Sequence, residues 1–100
     1  MLKAKAEIQF TLEGRNYRGG KQFRPVFRFN DGLLFSGAVK SDNELYIYNQ
    51  TYNVDIDFFT IEDEAYSVIK PMLKPNMPLV IQEGSRITGI ATLLNYVYEK

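Results

Sequence analysis

Between Gly14 and Pro25 the chain reads GRNYRGGKQFRP, with three glycines, four cations (Arg15, Arg18, Lys21 and Arg24) and no acid. Glycine backbones and cations are the groups that hold phosphate. The phosphate-binding loop requires glycine, four residues, then Gly-Lys-Ser/Thr. Here Arg15 stands where the first glycine is needed, and Gln22 replaces the hydroxyl residue. The following segment, FRPVFRF, reads as strand where that motif requires a helix. A nucleotide site is therefore not expected. The loop remains a cationic surface for a polyanion, with its glycines serving the turn.

Other chemistries have fewer parts still. The chain has no cysteine and no histidine, which removes disulfides, thiolate metal sites and the commonest general base. Serine and threonine hydroxyls are left without an imidazole to activate them. Asp55, Asp57, Glu62, Asp63 and Glu64 form an acidic stretch. Asp55 and Asp57 share one strand face, which reads as a solvated acidic face, not a hard-cation cage. No enzyme activity, cofactor or metal is expected. Tyr46, Tyr48 and Tyr52 cluster around one strand and turn. If exposed, they stack on bases or anchor a protein partner; if buried, they are cross-strand packing.

With 45% apolar residues and 100 residues in all, one folded domain over 1–100 is expected. Lys3, Lys5 and Glu7 interrupt any secretory apolar region, and no apolar run is long enough to span a membrane, so the cytoplasm is the expected location. Formal net charge is zero, against a nonspecific nucleic-acid binder. The charge is uneven, however: eight cations and three acids in residues 1–40, four cations and nine acids in residues 41–100. Such asymmetry orients a partner unless the fold interleaves the halves.

The elements that carry these residues are mostly strands, because the apolar period is two. Ala4, Ala6, Ile8, Phe10 and Leu12 alternate with Lys3, Lys5, Glu7, Gln9, Thr11 and Glu13. Pro25, Phe27 and Phe29 share a face opposite Arg24, Val26 and Arg28. Asp31-Gly32 marks a hairpin into a strand over Leu33–Val39. KSDNE is a turn and LYIYN a short strand. In NVDIDFF, Val54, Ile56 and Phe58 point inward, Asp55 and Asp57 outward. Thr60 is placed to cap a helix with Ala65, Val68, Ile69 and Met72 on one face, ending near Lys70 before Pro71. Pro75 and Pro78 mark an extended connector. LVIQ resumes as strand, and Gly84-Ser85 suits a type II′ hairpin. In the last strand, Ile87, Gly89, Ala91 and Leu93 share one face and Ile90, Thr92, Leu94 and Tyr96 the other. Six or seven short strands and one helix predict an all-β barrel or sandwich.

The ordered segments AKAEIQFTLEGR, FRPVFRF, SGAV, VDIDF and LVIQEGSRITG resemble the third, C-terminal domain of elongation factor Tu across nearly the whole chain. In that family an Ala-Glu strand is followed by Tyr-Arg-Pro-x-Phe-x-Phe, a Thr-Gly strand and a terminal Arg-Glu-Gly-Gly-Arg-Thr-x-Gly hairpin. The resemblance implies a closed six-stranded antiparallel Greek-key barrel, with residues 62–74 as a short helical insertion. It also implies a domain that holds the T-stem of aminoacyl-tRNA and touches neighbouring protein domains. The 100 residues contain neither a GTPase domain nor a second barrel, so a free-standing module is expected. Ser36 matches the family's threonine before the strand glycine, and Glu83 its hairpin glutamate. Val26 replaces the stem-contacting glutamine and Gln82 the arginine. Asn49–Asn53 stands in place of the usual Pro-Gly-Asp turn.

Two readings follow. One is a protein-interaction module that uses the insertion, the tyrosine face or the acidic stretch. The other is RNA binding, of tRNA-like type, through Arg15, Arg18, Lys21, Arg24, Ser36 and Arg86, with each phosphate contact adding salt dependence. For Glu83 and Arg86, facing one another across a two-residue hairpin, a simple ion pair is the structural alternative.

Overall fold

The computed structural model describes residues 1–20, 23–30 and 32–100. Its elements are β1 (Leu2–Phe10), β2 (Tyr17–Arg18), β3 (Val26–Asn30), β4 (Leu33–Ser36), β5 (Ala38–Lys40), β6 (Leu45–Tyr46) and β7 (Thr51–Phe58), then a helix α1 (Asp63–Ile69) with a 3-10 turn (Lys70–Met72), β8 (Met77–Glu83) and β9 (Arg86–Tyr98). Every pairing is antiparallel. Seven strands form one sheet in the order β4-β3-β8-β9-β1-β7-β5, and β2 pairs with β6 separately. The sheet curls into a half-barrel. No helix among the described residues is long and apolar enough to cross a membrane.

The alternation in β1 gives the sheet its inner face. Leu2, Ala4, Ala6, Ile8 and Phe10 are all buried, and β1 pairs with β7 on one side and β9 on the other. Phe27 and Phe29 of β3, Val54, Ile56 and Phe58 of β7, and Leu79 and Ile81 of β8 complete the core. Phe58 meets Phe27 and Phe29 edge-on, with centroids 5.4 and 5.2 Å away.

The segment read as one strand over Leu33–Val39 is divided at Gly37. Leu33–Ser36 pairs with β3 at one edge of the sheet, and Ala38–Lys40 pairs with β7 at the other. The N–H groups of Gly37 and Val39 donate to the carbonyls of Pro25 and Phe23, at 3.0 and 3.1 Å. The same stretch of chain therefore bonds in both directions. The β3–β4 hairpin stands where Asp31-Gly32 placed it, Gly32 has positive φ, and Asp31 itself lies outside the described residues.

Three strand expectations need correction. In β9 the inner face is not a fixed set of alternate residues. Gln82 pairs with Ile87 and Ile81 with Gly89, so Thr88 is an extra, buried residue and Ile87 turns outward at 51% exposed. A second irregularity follows: Lys5 pairs with Asn95 and Ala6 with Leu93, leaving Leu94 over. Beyond it Tyr96 and Tyr98 lean inward and Val97 outward. Bulges shift phase by one residue, which flips every later side chain. Pro78 is not in a connector; it lies in β8 opposite Thr92. It lies in the part of β8 that β3 does not pair, where the strand is an edge.

The helix departs from expectation at its cap and at one residue of its face, Val68. Its N-cap is Glu62, without a side-chain cap, in place of Thr60. The Tyr98 hydroxyl accepts from the Asp63 N–H and donates to Asp63 Oδ1, at 2.5 and 2.9 Å. The Tyr98 ring stacks on Tyr66 at 3.9 Å, nearly parallel. Ile69 is buried, while Val68 is exposed. Ile69, Met72 and half-buried Ala65 hold the expected face, Val68 alone leaves it, and Tyr66 joins the packed side through its stack on Tyr98.

On the outer face the acids of β7 meet cations. Lys5 bonds to Asp55 at 3.1 Å with both side chains mostly exposed, and Lys40 bonds to Asp57, whose side chain is only 8% exposed. Asp57 is thus not part of a solvated acidic face, because the neighbouring strands and Lys40 cover it. Removing Lys40 leaves a covered carboxylate, and Lys40→Ala is expected to cost about 1–2 kcal/mol after allowance for the exposed ammonium. Lys5→Ala is expected to cost under about 0.5 kcal/mol and to lose even that in high salt. Urea denaturation of both variants at low and high salt separates the two cases; equal costs would remove the distinction.

Candidate functional site

The loop GRNYRGGKQFRP is held down by its aromatics. Tyr17 stacks on Phe10 at 4.3 Å, and Phe23 stacks on Tyr46 at 5.3 Å. Tyr46 in turn meets Tyr52 edge-on at 5.0 Å. Tyr46 is 1% exposed, its hydroxyl shares a short hydrogen bond with Ser41, and the Tyr52 hydroxyl accepts from the Ile47 N–H at 2.9 Å. Of the two readings of these tyrosines, packing is the one found for Tyr46 and Tyr52. Gly19 has a steric reason: a Cβ there would lie 2.3 Å from the Asn43 carbonyl oxygen and 3.0 Å from the Tyr46 ring. Its N–H donates to Glu44 at 3.0 Å, which seats the loop against the β5–β6 turn.

This anchoring brings several sequence-nominated residues to one corner of the sheet. Arg15 pairs with Glu83 at 3.4 Å and lies over the Tyr17 ring, 4.9 Å from its centroid. Arg24 lies over the exposed ring of Phe59 at 5.4 Å. Glu83 and Arg86 are opposite one another at the hairpin tip, where Gly84 alone takes positive φ, as a type II′ turn requires. The ion pair that Glu83 forms is with Arg15, from the other end of the sequence. The expectation of a local Glu83–Arg86 pair is corrected accordingly. Ser36 is exposed on β4 opposite Val26, which is itself opposite Gln82, so it belongs to the same edge. Arg18 is exposed on β2, on the separate two-stranded ribbon. Lys21 lies outside the described residues.

Between these charges is a cleft of about 230 Å³ that sequence reasoning did not find. Phe10, Tyr17, Phe23 and Ile81 wall it, with Thr88 beneath and Arg24 and Glu83 at its margin. Gln82, almost fully buried, donates to the Gly84 carbonyl at 2.7 Å and fixes the hairpin against it. The Tyr17 hydroxyl is buried and faces Thr88 and Glu83. The signal for this cleft was present in the sequence as tyrosine and phenylalanine interleaved with arginine.

Burial first, and then the negative charge of Glu83, push the Tyr17 phenol above its ordinary 10.0. Tyr98 shifts the same way, through desolvation and then its hydrogen bond to Asp63. In both cases the folded form holds the proton more tightly than the unfolded chain does. Their contribution to stability is therefore complete below pH 10.0 and is lost as pH rises through the folded values. Stability measured by urea denaturation is expected to fall as pH rises above 10.0, and less steeply in Tyr17→Phe and Tyr98→Phe. An equally steep fall in both variants would contradict this assignment.

No protein-family model matches the chain, and no curated protein matches it in sequence.

Proposed function

We propose that the chain is a non-enzymatic binding module of the elongation factor Tu third-domain type that engages a protein partner through the corner formed by Arg15, Arg24, Glu83 and Arg86. The observation that carries this reading is the aromatic-walled cleft that Arg24 and Glu83 line, with Arg15 paired to Glu83 beside it. Beside it lie outward apolar residues of the same sheet: Ile87, Ile90 and Leu34, each about half exposed. Arginine and aromatic groups beside apolar surface are the usual ingredients of a protein interface. The insertion and the acidic stretch contribute less to this reading. The stacked Tyr66–Tyr98 pair and the Lys5–Asp55 and Lys40–Asp57 bonds give them internal roles.

The proposed architecture is a closed six-stranded Greek-key barrel. Its support is that the two edge strands, β4 and β5, are separated by Gly37 alone. Hydrogen bonding to the β3 side also continues through Gly37 and Val39. Counting β4 and β5 as one bent strand gives six strands, β1, β3, β4–β5, β7, β8 and β9. Their order around the sheet is first, fourth, third, second, fifth, sixth, which sets the first strand beside the fourth in Greek-key fashion. With no exposed edges left, the cytoplasmic module would resist pairing with its own copies.

RNA binding is the second reading, favoured by the exposure of Arg18 and Arg86 away from any acid they pair with in the described structure. Labelled tRNA titrated at low and moderate salt distinguishes the two. The protein-partner reading expects no saturable binding at moderate salt and no difference between the native chain and Arg18→Ala/Arg86→Ala. Tight binding whose logarithm falls with log salt by about 0.7–0.9 per phosphate contact, and which weakens in the double variant, would transfer the function to RNA.

A further inference from the structure

On the outer side of the sheet one row of side chains crosses four strands. Arg28 of β3 stands between Leu34 of β4 and Val80 of β8, and Val80 stands opposite Ile90 of β9. The alternate residues of these strands, among them Phe27, Phe29, Leu79, Ile81 and Ala91, fill the core, so the row faces out. Leu34 and Ile90 are about half exposed, and Arg28 and Val80 are half-buried. The Arg28 guanidinium has an aliphatic neighbour on each side and forms no ion pair among the described residues. The outer side of β1, β5 and β7 is built differently. There Lys3 pairs with Glu99, Lys5 with Asp55 and Lys40 with Asp57. Those cations find their acids within the chain, and Arg28 does not.

We propose that this row receives an amphipathic helix of the partner protein, laid across the strands, with a carboxylate on Arg28 and apolar side chains on Leu34, Val80 and Ile90. The inference rests on the protein-partner reading above and specifies the partner's structure. Charge selects the carboxylate. A guanidinium takes a carboxylate in two parallel hydrogen bonds, and the aliphatic flanks shield the pair from water. Spacing selects the helix. Adjacent strands lie about 4.8 Å apart, so the four positions of the row span about 14 Å. Helical side chains at i, i+4, i+7 and i+11 share a face and span about 16 Å. An extended segment returns to one face only every ~6.7 Å, and four such positions span about 20 Å. Single-stranded nucleic acid fits less well, because the row offers no aromatic ring to a base. A second copy of the same row brings no acid to Arg28.

The test uses the full chain and a synthetic alanine-based helical peptide of about fifteen residues, with leucine, glutamate, leucine and leucine at i, i+4, i+7 and i+11. A second peptide carries glutamine in place of the glutamate, and a third carries lysine. Backbone amide resonances are followed by NMR as each peptide is added. Saturable shifts are expected at Arg28, Leu34, Val80 and Ile90 with the glutamate peptide, and about three- to tenfold weaker binding with the glutamine peptide. Arg28→Gln breaks no ion pair, so it is expected to melt close to the native chain and to bind those two peptides alike. Arg28→Glu is expected to lose the glutamate peptide and to bind the lysine peptide. Ile90→Lys is expected to weaken the glutamate and glutamine peptides together.

No saturable shift with the glutamate peptide, shifts confined to another face, or equal affinity of the native chain for the glutamate and glutamine peptides would overturn the proposal. So would an oligouridylate that moves the same amides when the peptide does not, since the row would then be an RNA surface. Concentration-dependent shifts of those amides without any peptide would also overturn it, by assigning the row to a second copy of the chain. A partner protein that is captured equally by the native chain and Ile90→Lys would overturn the helix proposal while leaving the interaction-module reading intact.

Discussion

Gly37→Ala should lower stability by about 3 kcal/mol, the upper end of the usual cost of overpacking a core. An added Cβ would lie 2.6 Å from Ile56 Cγ2, 2.8 Å from Phe58 Cε1 and 3.0 Å from Phe27 Cε2. None of these is the loose end of a surface chain. Ile56, Phe58 and Phe27 are all fully buried, the first two on β7 and the third on β3. Relief therefore requires the bend between β4 and β5 to open, and with it the bonds from Gly37 to Pro25 and from Val39 to Phe23. At about 4–8 °C per kcal/mol for a domain this small, the melting temperature should fall by roughly 12–24 °C. A change within about 0.5 kcal/mol, the scatter of ordinary surface substitutions, would mean that the chain does not pass close to the core at Gly37.

The second large effect is expected at Phe58. Phe58→Ala removes a fully buried ring that two other phenylalanines meet edge-on, and should cost about 3–5 kcal/mol. That is a large part of the roughly 5–15 kcal/mol available to a domain of this size. Its neighbour provides the control. Phe59 is 41% exposed and touches Arg24, so Phe59→Ala should cost under about 1 kcal/mol. Urea midpoints for the pair measure the difference directly. Similar losses at both positions would show that the core face of β7 has been assigned to the wrong residues.

The parts of the fold legible in sequence were those set by local rules. The alternation in β1 and β7, the Asp31-Gly32 and Gly84-Ser85 turns, and a short helix near Asp63 each depend on neighbours within a few residues. What escaped depends on contacts distant in sequence. The phase of β9 changes at Thr88 and again at Leu94, because its partners β8 and β1 are one residue out of step there. Val68 faces solvent because Tyr66 finds Tyr98, 32 residues later. Asp57 is covered because Lys40 reaches it from β5.

The candidate site follows the same division. Arg15, Arg24, Glu83 and Arg86 could be nominated from residue type and family resemblance. That Glu83 would bond to Arg15 and not to Arg86 follows from the approach of the first loop to the last hairpin. Phe10 and Thr88 gave no signal of a site, since a core aromatic and a buried threonine look ordinary until a cleft opens between them.

The most direct measurement of the central claim is affinity capture from the native host, with the native chain and Arg24→Glu as parallel baits and with ribonuclease added to half of each sample. Charge reversal at the cleft margin should abolish a protein interaction that depends on complementary acids. A protein should be retained by the native chain, unaffected by ribonuclease, and lost from Arg24→Glu. Capture that ribonuclease abolishes, or that Arg24→Glu retains in full, would contradict it.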